Sequence, residues 1–191
     1  NHLSLYHLTL EPNTYFAKYP PAIPDDDLSA EMQEQIQLRM GAAGYEHYEV
    51  SAFAKSGKAS RHNLNYWNFG DYLGIGAGAH SKLSFPNRII RQVRHKQPKM
   101  YMDAVAGGHP VQESHEISKN DLAFEFMLNT LRLNQGFDAA LFYERTGLLL
   151  NSIETPLNQA EQRGLLLRDH LKIQPTELGR RFLNDLQSIF L

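Results

Sequence analysis

The chain has 191 residues, of which 42% are hydrophobic and 21% are charged, so it can form one or two globular domains with a buried core. Its net charge of −2 gives no electrostatic reason to expect a nucleic-acid partner. It contains no cysteine, which excludes disulfides, a catalytic thiol and a cysteine-ligated zinc or iron–sulfur site among these residues.

The first 44 residues predict a strand followed by a helix. Residues 3–10 alternate and are rich in Leu and Tyr, which predicts a buried strand. The chain begins inside this run, so we expect further sequence upstream. Prolines within residues 20–24 predict a loop, and Asp25 to Asp27 place acidic side chains at a helix start. An amphipathic helix follows, ended by Gly41 and Gly44, with its apolar face at Leu28, Met32 and Ile36.

The middle of the chain predicts further strands. Residues 45–53 are typical of a second strand, and residues 72–80 form a third apolar run that contains three alternating glycines. Residues 82–98 predict an exposed hairpin. The basic side chains between Arg88 and Lys99 could meet phosphates or porphyrin carboxylates, or could form a solvated face. Residues 106–110 are typical of a linker.

The composition shifts after this linker towards helices. We predict helices over residues 119–133, over 139–146 after Asp138, from Thr155-Pro156 to Gly164, and from Thr176 to Leu191. Residues 165–168 and 171–174 predict a short hairpin, which gives a winged-helix-like arrangement. Its candidate recognition helix is not basic, so we expect no nucleic-acid partner.

Three segments resemble one known family. They are SLYHLTLEPNT at residues 4–14, HNLNYW at 62–67 and YLGIGAGAH at 72–80. In this order and spacing they are similar to the C-terminal part of HemW-like proteins, which are radical-SAM relatives of oxygen-independent coproporphyrinogen III oxidase. The resemblance implies an α/β fold: the C-terminal portion of a partial (β/α) radical-SAM barrel at residues 1–110, then a small winged-helix-like α-helical domain at 111–191. The family's CxxxCxxC loop, which binds a [4Fe–4S] cluster, is absent from this chain.

The resemblance assigns two places to S-adenosyl-L-methionine in the intact protein. The ring of Tyr6 and the main chain near Thr9 would line one side of the cofactor pocket, and Ala79 and His80 would line the other. A flat ring can stack on adenine, and barrel enzymes build sites at strand ends. Two plainer readings stay open: Tyr6 is a core aromatic, and the glycines before Ala79 serve tight packing.

The resemblance also assigns haem binding to the HNxxYW pattern, formed here by His62, Asn63, Tyr66 and Trp67. Histidine can ligate haem iron, and the tyrosine and tryptophan rings offer flat faces to a porphyrin. Arg61 could pair with a propionate. The plainer reading is that His62 and Asn63 satisfy buried backbone groups and that Trp67 fills the core.

Three functions follow as hypotheses. The first is a haem chaperone that passes haem to client haem proteins, membrane respiratory enzymes among them. The second is an oxygen-independent coproporphyrinogen III oxidase, for which this chain alone lacks the cluster motif and would be inactive. The third is an interaction module without a ligand. HNxxYW favours the first over the second. We expect a cytoplasmic location, which includes the membrane periphery. A dimer is compatible with the sequence.

Overall fold

The computed structural model describes all residues from Asn1 to Leu191, and they form two compact units, Asn1–Ser60 and Arg61–Leu191. Residues 61–110 therefore pack in the same unit as residues 111–191. The family domain boundary that we place near residue 110 stays a prediction. None of the helices combines the length and the apolar character needed to span a bilayer.

The first unit contains three short strands and two helices. Their bounds, in chain order, are β1 (His2–Ser4), α1 (Tyr15–Lys18), α2 (Asp26–Ala42), β2 (Glu46–Glu49) and β3 (Ala52–Ala54). Strand β3 lies in the middle of the sheet and pairs antiparallel with both β1 and β2. Helix α2 begins as predicted, because the Asp25 carboxylate accepts a hydrogen bond from the Leu28 amide at 2.8 Å. Its apolar residues Leu28 and Met32 are each nearly half exposed.

Two strand predictions in this unit were too long. The run predicted over residues 3–10 pairs only from His2 to Ser4, because its partner β3 has only three residues. The run predicted over 45–53 is divided into β2 and β3 by a turn at Val50 and Ser51. The buried Glu49 stabilises that turn, since one carboxylate oxygen accepts hydrogen bonds from the Ser51 hydroxyl at 3.2 Å and amide at 3.4 Å.

The second unit holds two antiparallel sheets and a set of helices. The first part of its elements comprises α3 (Arg61–Trp67), β4 (His80–Phe85), β5 (Arg88–Arg94), α4 (Pro98–Ala106), β6 (Val111–Glu116) and α5 (Lys119–Thr130). Strands β4 and β5 form the predicted hairpin, and β6 pairs with the other edge of β5. The hairpin is not fully exposed, because Ser81, Lys82 and Ile89 are buried.

The remaining elements agree closely with the predicted C-terminal pattern. They are β7 (Phe137–Asp138), α6 (Ala139–Thr146), a 3-10 helix (Leu150–Ile153), α7 (Glu154–Gln162), β8 (Leu166–Arg168), β9 (Lys172–Pro175), α8 (Glu177–Arg181) and α9 (Leu183–Ser188). Strand β9 lies between β7 and β8. The Thr176 hydroxyl accepts from the Gly179 amide at 2.9 Å, which confirms the predicted helix cap. The last helix, predicted as continuous, is interrupted at Phe182 (φ −112°, ψ 48°).

Aromatic side chains form the centre of the hydrophobic core in the second unit. Phe126 of α5 is fully buried, and its ring lies edge-on to three others at centroid distances of 5.6, 5.2 and 5.2 Å: Phe69, Phe137 and Phe142. These rings come from the segment after α3, from β7 and from α6. One side chain therefore joins three parts of the unit.

Gly179 provides a test of the packing of α8. A Cβ at this position would lie 1.9 Å from the Leu165 carbonyl oxygen. Because that neighbour is backbone, we expect Gly179→Ala to lower the free energy of unfolding by about 2–3 kcal/mol. The measurement is chemical denaturation. Gly107→Ala is the matched control, because a Cβ at Gly107 would meet nothing closer than 3.6 Å. An equal loss of unfolding free energy in both variants would contradict the steric explanation.

Candidate functional site

The HNxxYW segment forms the short helix α3, whose end is closed by several hydrogen bonds. The Phe69 amide donates to the Tyr66 carbonyl at 2.9 Å, and the Gly70 amide donates to the Asn65 carbonyl at 2.7 Å. The Asn65 side-chain amide donates to the Asp71 carbonyl at 2.8 Å. A Cβ on Gly70 would lie 2.2 Å from the Asn65 Oδ1 atom, so this tight closure requires glycine.

Helix α3 brings the four predicted haem residues to one side. Positions i, i+1, i+4 and i+5 of a helix lie within about 140° of one another, and these are the positions of His62, Asn63, Tyr66 and Trp67. His62 is exposed, and the other three are half-buried. The His62 and Tyr66 rings lie edge to face, with centroids 4.8 Å apart at 75°. The exposed imidazole therefore rests on a tyrosine ring.

Trp67 lies at the other margin of this side of α3 and is covered by Arg132. The Arg132 guanidinium lies 4.2 Å from the centre of the Trp67 ring, which is a cation–π distance. The Trp67 Nε1 atom is buried and has no hydrogen-bond partner in the chain. A buried donor of this kind is satisfied in most proteins, so an acceptor atom of a bound molecule fits here. Arg132, 65 positions along the chain, was not predicted from the sequence.

A second set of side chains supports Tyr66 and was also not predicted. The Tyr66 and Tyr72 ring centroids are 4.4 Å apart. The Tyr72 hydroxyl accepts a hydrogen bond from Arg91 Nη1 at 2.8 Å, and Arg91 Nε donates to Glu125 at 2.9 Å. Burial, and then the neighbouring Tyr72, raise the pKa of the Tyr66 phenol. Tyr72 opens the predicted apolar run and Arg91 lies in the basic stretch, so each was visible only as part of a larger pattern.

A buried lysine fixes the chain directly after α3. Lys82 Nζ donates to the Phe69 carbonyl at 3.0 Å and the Asp71 carboxylate at 2.9 Å, and it lies 4.2 Å from the centre of the Phe69 ring. Burial lowers the pKa of Lys82, against the effect of Asp71. Burial alone would raise the pKa of Asp71, but hydrogen bonds from Lys82 and Ser84 outweigh it and lower the pKa. These contacts hold residues 69–71 and thereby the end of α3.

The predicted apolar run over residues 72–80 is a loop with a single β-bridge between Tyr72 and Lys82. The strand prediction was wrong because Gly76 and Gly78 adopt φ values of 110° and 72°, which strand residues do not adopt. The loop leads to the half-buried Ala79 and the exposed His80, the first residue of β4.

Tyr6 and Thr9 lie in the first unit, in the extended segment that follows β1. The Tyr6 side chain is 76% exposed, so its ring does not fill the core of that unit. Thr9 is also exposed, and its carbonyl accepts from the Glu11 amide at 3.2 Å. The ring is accessible for stacking, as the cofactor hypothesis requires.

Metal ligands are not clustered in the chain. No group of three or more His, Cys, Asp or Glu side chains is arranged to hold a metal ion. The sequence contains no cysteine, so its side chains do not fit a thiolate-ligated iron–sulfur cluster. Haem iron needs no such cluster of protein ligands, so a single histidine such as His62 could serve as its ligand.

Known proteins resemble the whole chain. Residues 117–182 match the family model described as the HemN C-terminal domain. Proteins named "Heme chaperone HemW" from Escherichia coli and Haemophilus influenzae are each 42% identical over the whole chain, which covers 50% and 49% of them. The Bacillus subtilis protein of that name is 32% identical, with 51% covered. The chain thus spans about half the length of these curated relatives.

One solved structure has a similar fold. It is titled "Coproporphyrinogen III oxidase (HemN) from Escherichia coli is a Radical SAM enzyme" and gives a TM-score of 0.72. The match covers 99% of this chain and 47% of that one, at 17% sequence identity. At that identity the likeness concerns the mixed α/β fold alone.

Proposed function

Because the chain is a C-terminal part of a HemW-like protein, we propose that it binds haem as cargo for delivery to client haem proteins. One observation carries the proposal: helix α3 presents His62 to solvent with its ring resting on Tyr66. An exposed histidine with a supported ring can donate a nitrogen lone pair to haem iron. Membrane respiratory enzymes are the client class that we propose.

The other residues of α3 have distinct parts in this proposal. Tyr66 supports the imidazole and offers apolar surface to the porphyrin edge. The Trp67 Nε1 atom, buried and unpaired, would donate to a porphyrin carboxylate. Asn63 and the exposed Arg61 would provide further polar contacts at the haem margin.

We propose further that the intact protein binds S-adenosyl-L-methionine beside Tyr6 and Thr9 and beside Ala79 and His80. The exposed ring of Tyr6 is suited to stacking on adenine. The intact family members would also carry a [4Fe–4S] cluster, and together these groups supply radical chemistry when bound. This chain contains no cysteine that could ligate the cluster. The part that we propose for Tyr6, Thr9, Ala79 and His80 is therefore to bind and orient S-adenosyl-L-methionine.

The finer architecture and the location belong to the same proposal. Residues 1–110 would be C-terminal strands and loops of a partial (β/α) radical-SAM barrel, and residues 111–191 the winged-helix-like domain. The match to the HemN C-terminal domain over residues 117–182 supports the second assignment. We place the protein in the cytoplasm, including the membrane periphery where its clients would be met.

Coproporphyrinogen III oxidase activity is the alternative function. Its support is the similar fold of HemN, at 17% identity. The HNxxYW pattern and the relatives that match over the whole chain favour the chaperone.

A haem titration tests the proposal. We expect the chain to give a Soret shift that saturates near one equivalent, and His62→Ala to weaken binding by about tenfold or more, because the iron loses a ligand. His109→Ala is the matched control, since it removes another exposed histidine of the same unit. A chain that shows no saturable shift, or equal affinities for the chain and His62→Ala, would overturn the proposal.

A further inference from the structure

Three rings are in contact in a row on one side of α3. The exposed His62 ring lies edge to face on Tyr66, with centroids 4.8 Å apart, and Tyr66 lies against Tyr72 at 4.4 Å. His62 and Tyr66 are one helical turn apart, whereas Tyr72 belongs to the loop after the helix. The row of rings therefore connects the His62 imidazole to the loop that follows α3.

Arg91 fixes the inner end of this row. Its Nη1 atom donates to the Tyr72 hydroxyl at 2.8 Å, and its Nε atom donates to the Glu125 carboxylate at 2.9 Å. Both charged side chains are about three-quarters buried, with exposed fractions of 26% for Arg91 and 22% for Glu125. A charge-assisted pair between a strand and a helix is a rigid support, because the planar guanidinium has few positions in which it can contact both Tyr72 and Glu125.

We infer that Tyr72 and Arg91 are positioning residues for haem binding: they hold Tyr66, and through Tyr66 they orient the His62 imidazole. The inference rests on the proposed haem function and adds residues outside the HNxxYW pattern to its site. Neither side chain is assigned a contact with haem. Their effect is transmitted through one ring-to-ring contact and one hydrogen bond.

The energetic reason is the freedom of an exposed histidine. A solvent-exposed imidazole on a seven-residue helix samples several rotamers, and binding must select one of them. Metal-binding histidines are usually oriented by a second group, and mutation of such a group commonly costs affinity. Here the orienting group is the Tyr66 ring, which can serve only if Tyr72 prevents it from turning away.

Burial of the Tyr66 phenol agrees with this arrangement. The Tyr66 side chain is half-buried, as expected for a ring that lies between the His62 ring at 4.8 Å and the Tyr72 ring at 4.4 Å. The neutral phenol places no charge beside the imidazole. The three aromatic rings thus form an apolar support for His62, and the ion pair of Arg91 with Glu125 fixes its inner end.

The test compares substitutions at Tyr72 in the whole chain. We expect Tyr72→Leu, which removes both the ring contact and the hydrogen bond, to weaken haem binding by about tenfold. Tyr72→Phe keeps the ring and loses only the bond to Arg91, so we expect about threefold weaker binding. Tyr143→Leu is the matched control, because Tyr143 is an exposed tyrosine of α6 in the same unit, and its affinity should be unchanged.

Two further readouts separate positioning from stability. In the haem-free chain, NMR of histidine-labelled protein should show the His62 ring protons displaced by ring currents, less so in Tyr72→Leu and close to wild type in Tyr72→Phe. In the ferric complex, EPR should show one iron ligation state for the wild type and a mixture for Tyr72→Leu. If Tyr72 had only a structural role, Tyr72→Leu would lower the melting temperature of the protein. Below that temperature, both spectra and the haem affinity would then match those of the wild type.

Each outcome decides between the two proposals. A wild-type chain that binds no haem overturns the proposed function together with this inference. A wild type that binds haem, with Tyr72→Leu of equal affinity and equal spectra, overturns the inference alone. If Tyr72→Leu does not fold, Tyr72→Phe decides, because wild-type affinity and an unchanged EPR spectrum in that variant would overturn the inference.

Discussion

Replacing Asp71 by asparagine is expected to lower the free energy of unfolding by about 3 kcal/mol, because it leaves the Lys82 ammonium buried without its anionic partner. The Lys82 side chain is only 2% exposed, whereas Asp71 is 43% exposed. The other acceptors of Lys82 Nζ are the Phe69 carbonyl at 3.0 Å and the Ser84 hydroxyl at 3.3 Å. They are neutral, so they satisfy its hydrogen bonds without balancing its charge. Urea denaturation at neutral pH measures the loss.

A matched pair elsewhere in the unit is the control. Lys99 and Asp103 also form a Lys–Asp ion pair, at 3.0 Å, but their side chains are 85% and 67% exposed. Asp103→Asn should therefore cost no more than about 0.5 kcal/mol. The double variant Lys82→Met with Asp71→Asn should regain most of the loss, because no buried charge is left. A loss in Asp71→Asn no greater than in Asp103→Asn would contradict the explanation.

The same pair predicts how the effect changes with pH. The pKa of Asp71 is lowered in the folded chain, so its contribution is present above the pKa of the unfolded carboxyl. It is lost as the pH falls through the lowered, folded-state pKa. The stability difference between wild type and Asp71→Asn should therefore be constant near neutral pH and shrink in strong acid. A difference that grew with acid would have the wrong sign for this mechanism.

Phe126→Ala is expected to have the largest effect on the second unit, a loss of about 3–5 kcal/mol. The side chain is fully buried and makes three edge-on ring contacts, so its removal leaves a cavity and three unsupported aromatics. Phe182→Ala is the matched control because Phe182 is 52% exposed, and it should cost less than about 1 kcal/mol.

The measurement for Phe126→Ala is thermal or chemical unfolding followed by near-ultraviolet circular dichroism. If the ring were merely one of many redundant contacts, Phe126→Ala and Phe182→Ala would lose similar amounts. Phe126→Leu, which conserves most of the volume, should fall between wild type and Phe126→Ala.

The elements predicted best are those whose signals lie next to each other in the sequence. Helix α6 has the predicted bounds and begins directly after Asp138, although the Asp138 side chain, predicted as the cap, accepts no capping hydrogen bond. The predicted hairpin of β8 and β9 is confirmed to within a residue, as is the cap at Thr176. Such signals depend on a few neighbouring residues, so the rest of the fold does not need to be known.

The contacts that were missed join distant parts of the chain. Lys82 begins the segment that was predicted as an exposed hairpin, and only the folded chain shows that Phe69 and Asp71 enclose it. Arg132 meets Trp67 through the packing of α5 near α3, for which the sequence has no local marker. The HNxxYW pattern located the candidate haem residues, but the residues that support them came from tertiary structure.

The edge-on contact between Phe69 and Phe126 means that the C-terminal family domain cannot be exchanged between proteins without also changing a core contact. A chimaera joined at residue 117, where the recognised C-terminal domain begins, would take Phe126 from one parent and the segment that ends α3 from the other. Helix α3 would then rest on a core that had not evolved beside it. A graft that begins at Arg61 would transfer α3 with its own supports, so the exchangeable part is larger than the family domain.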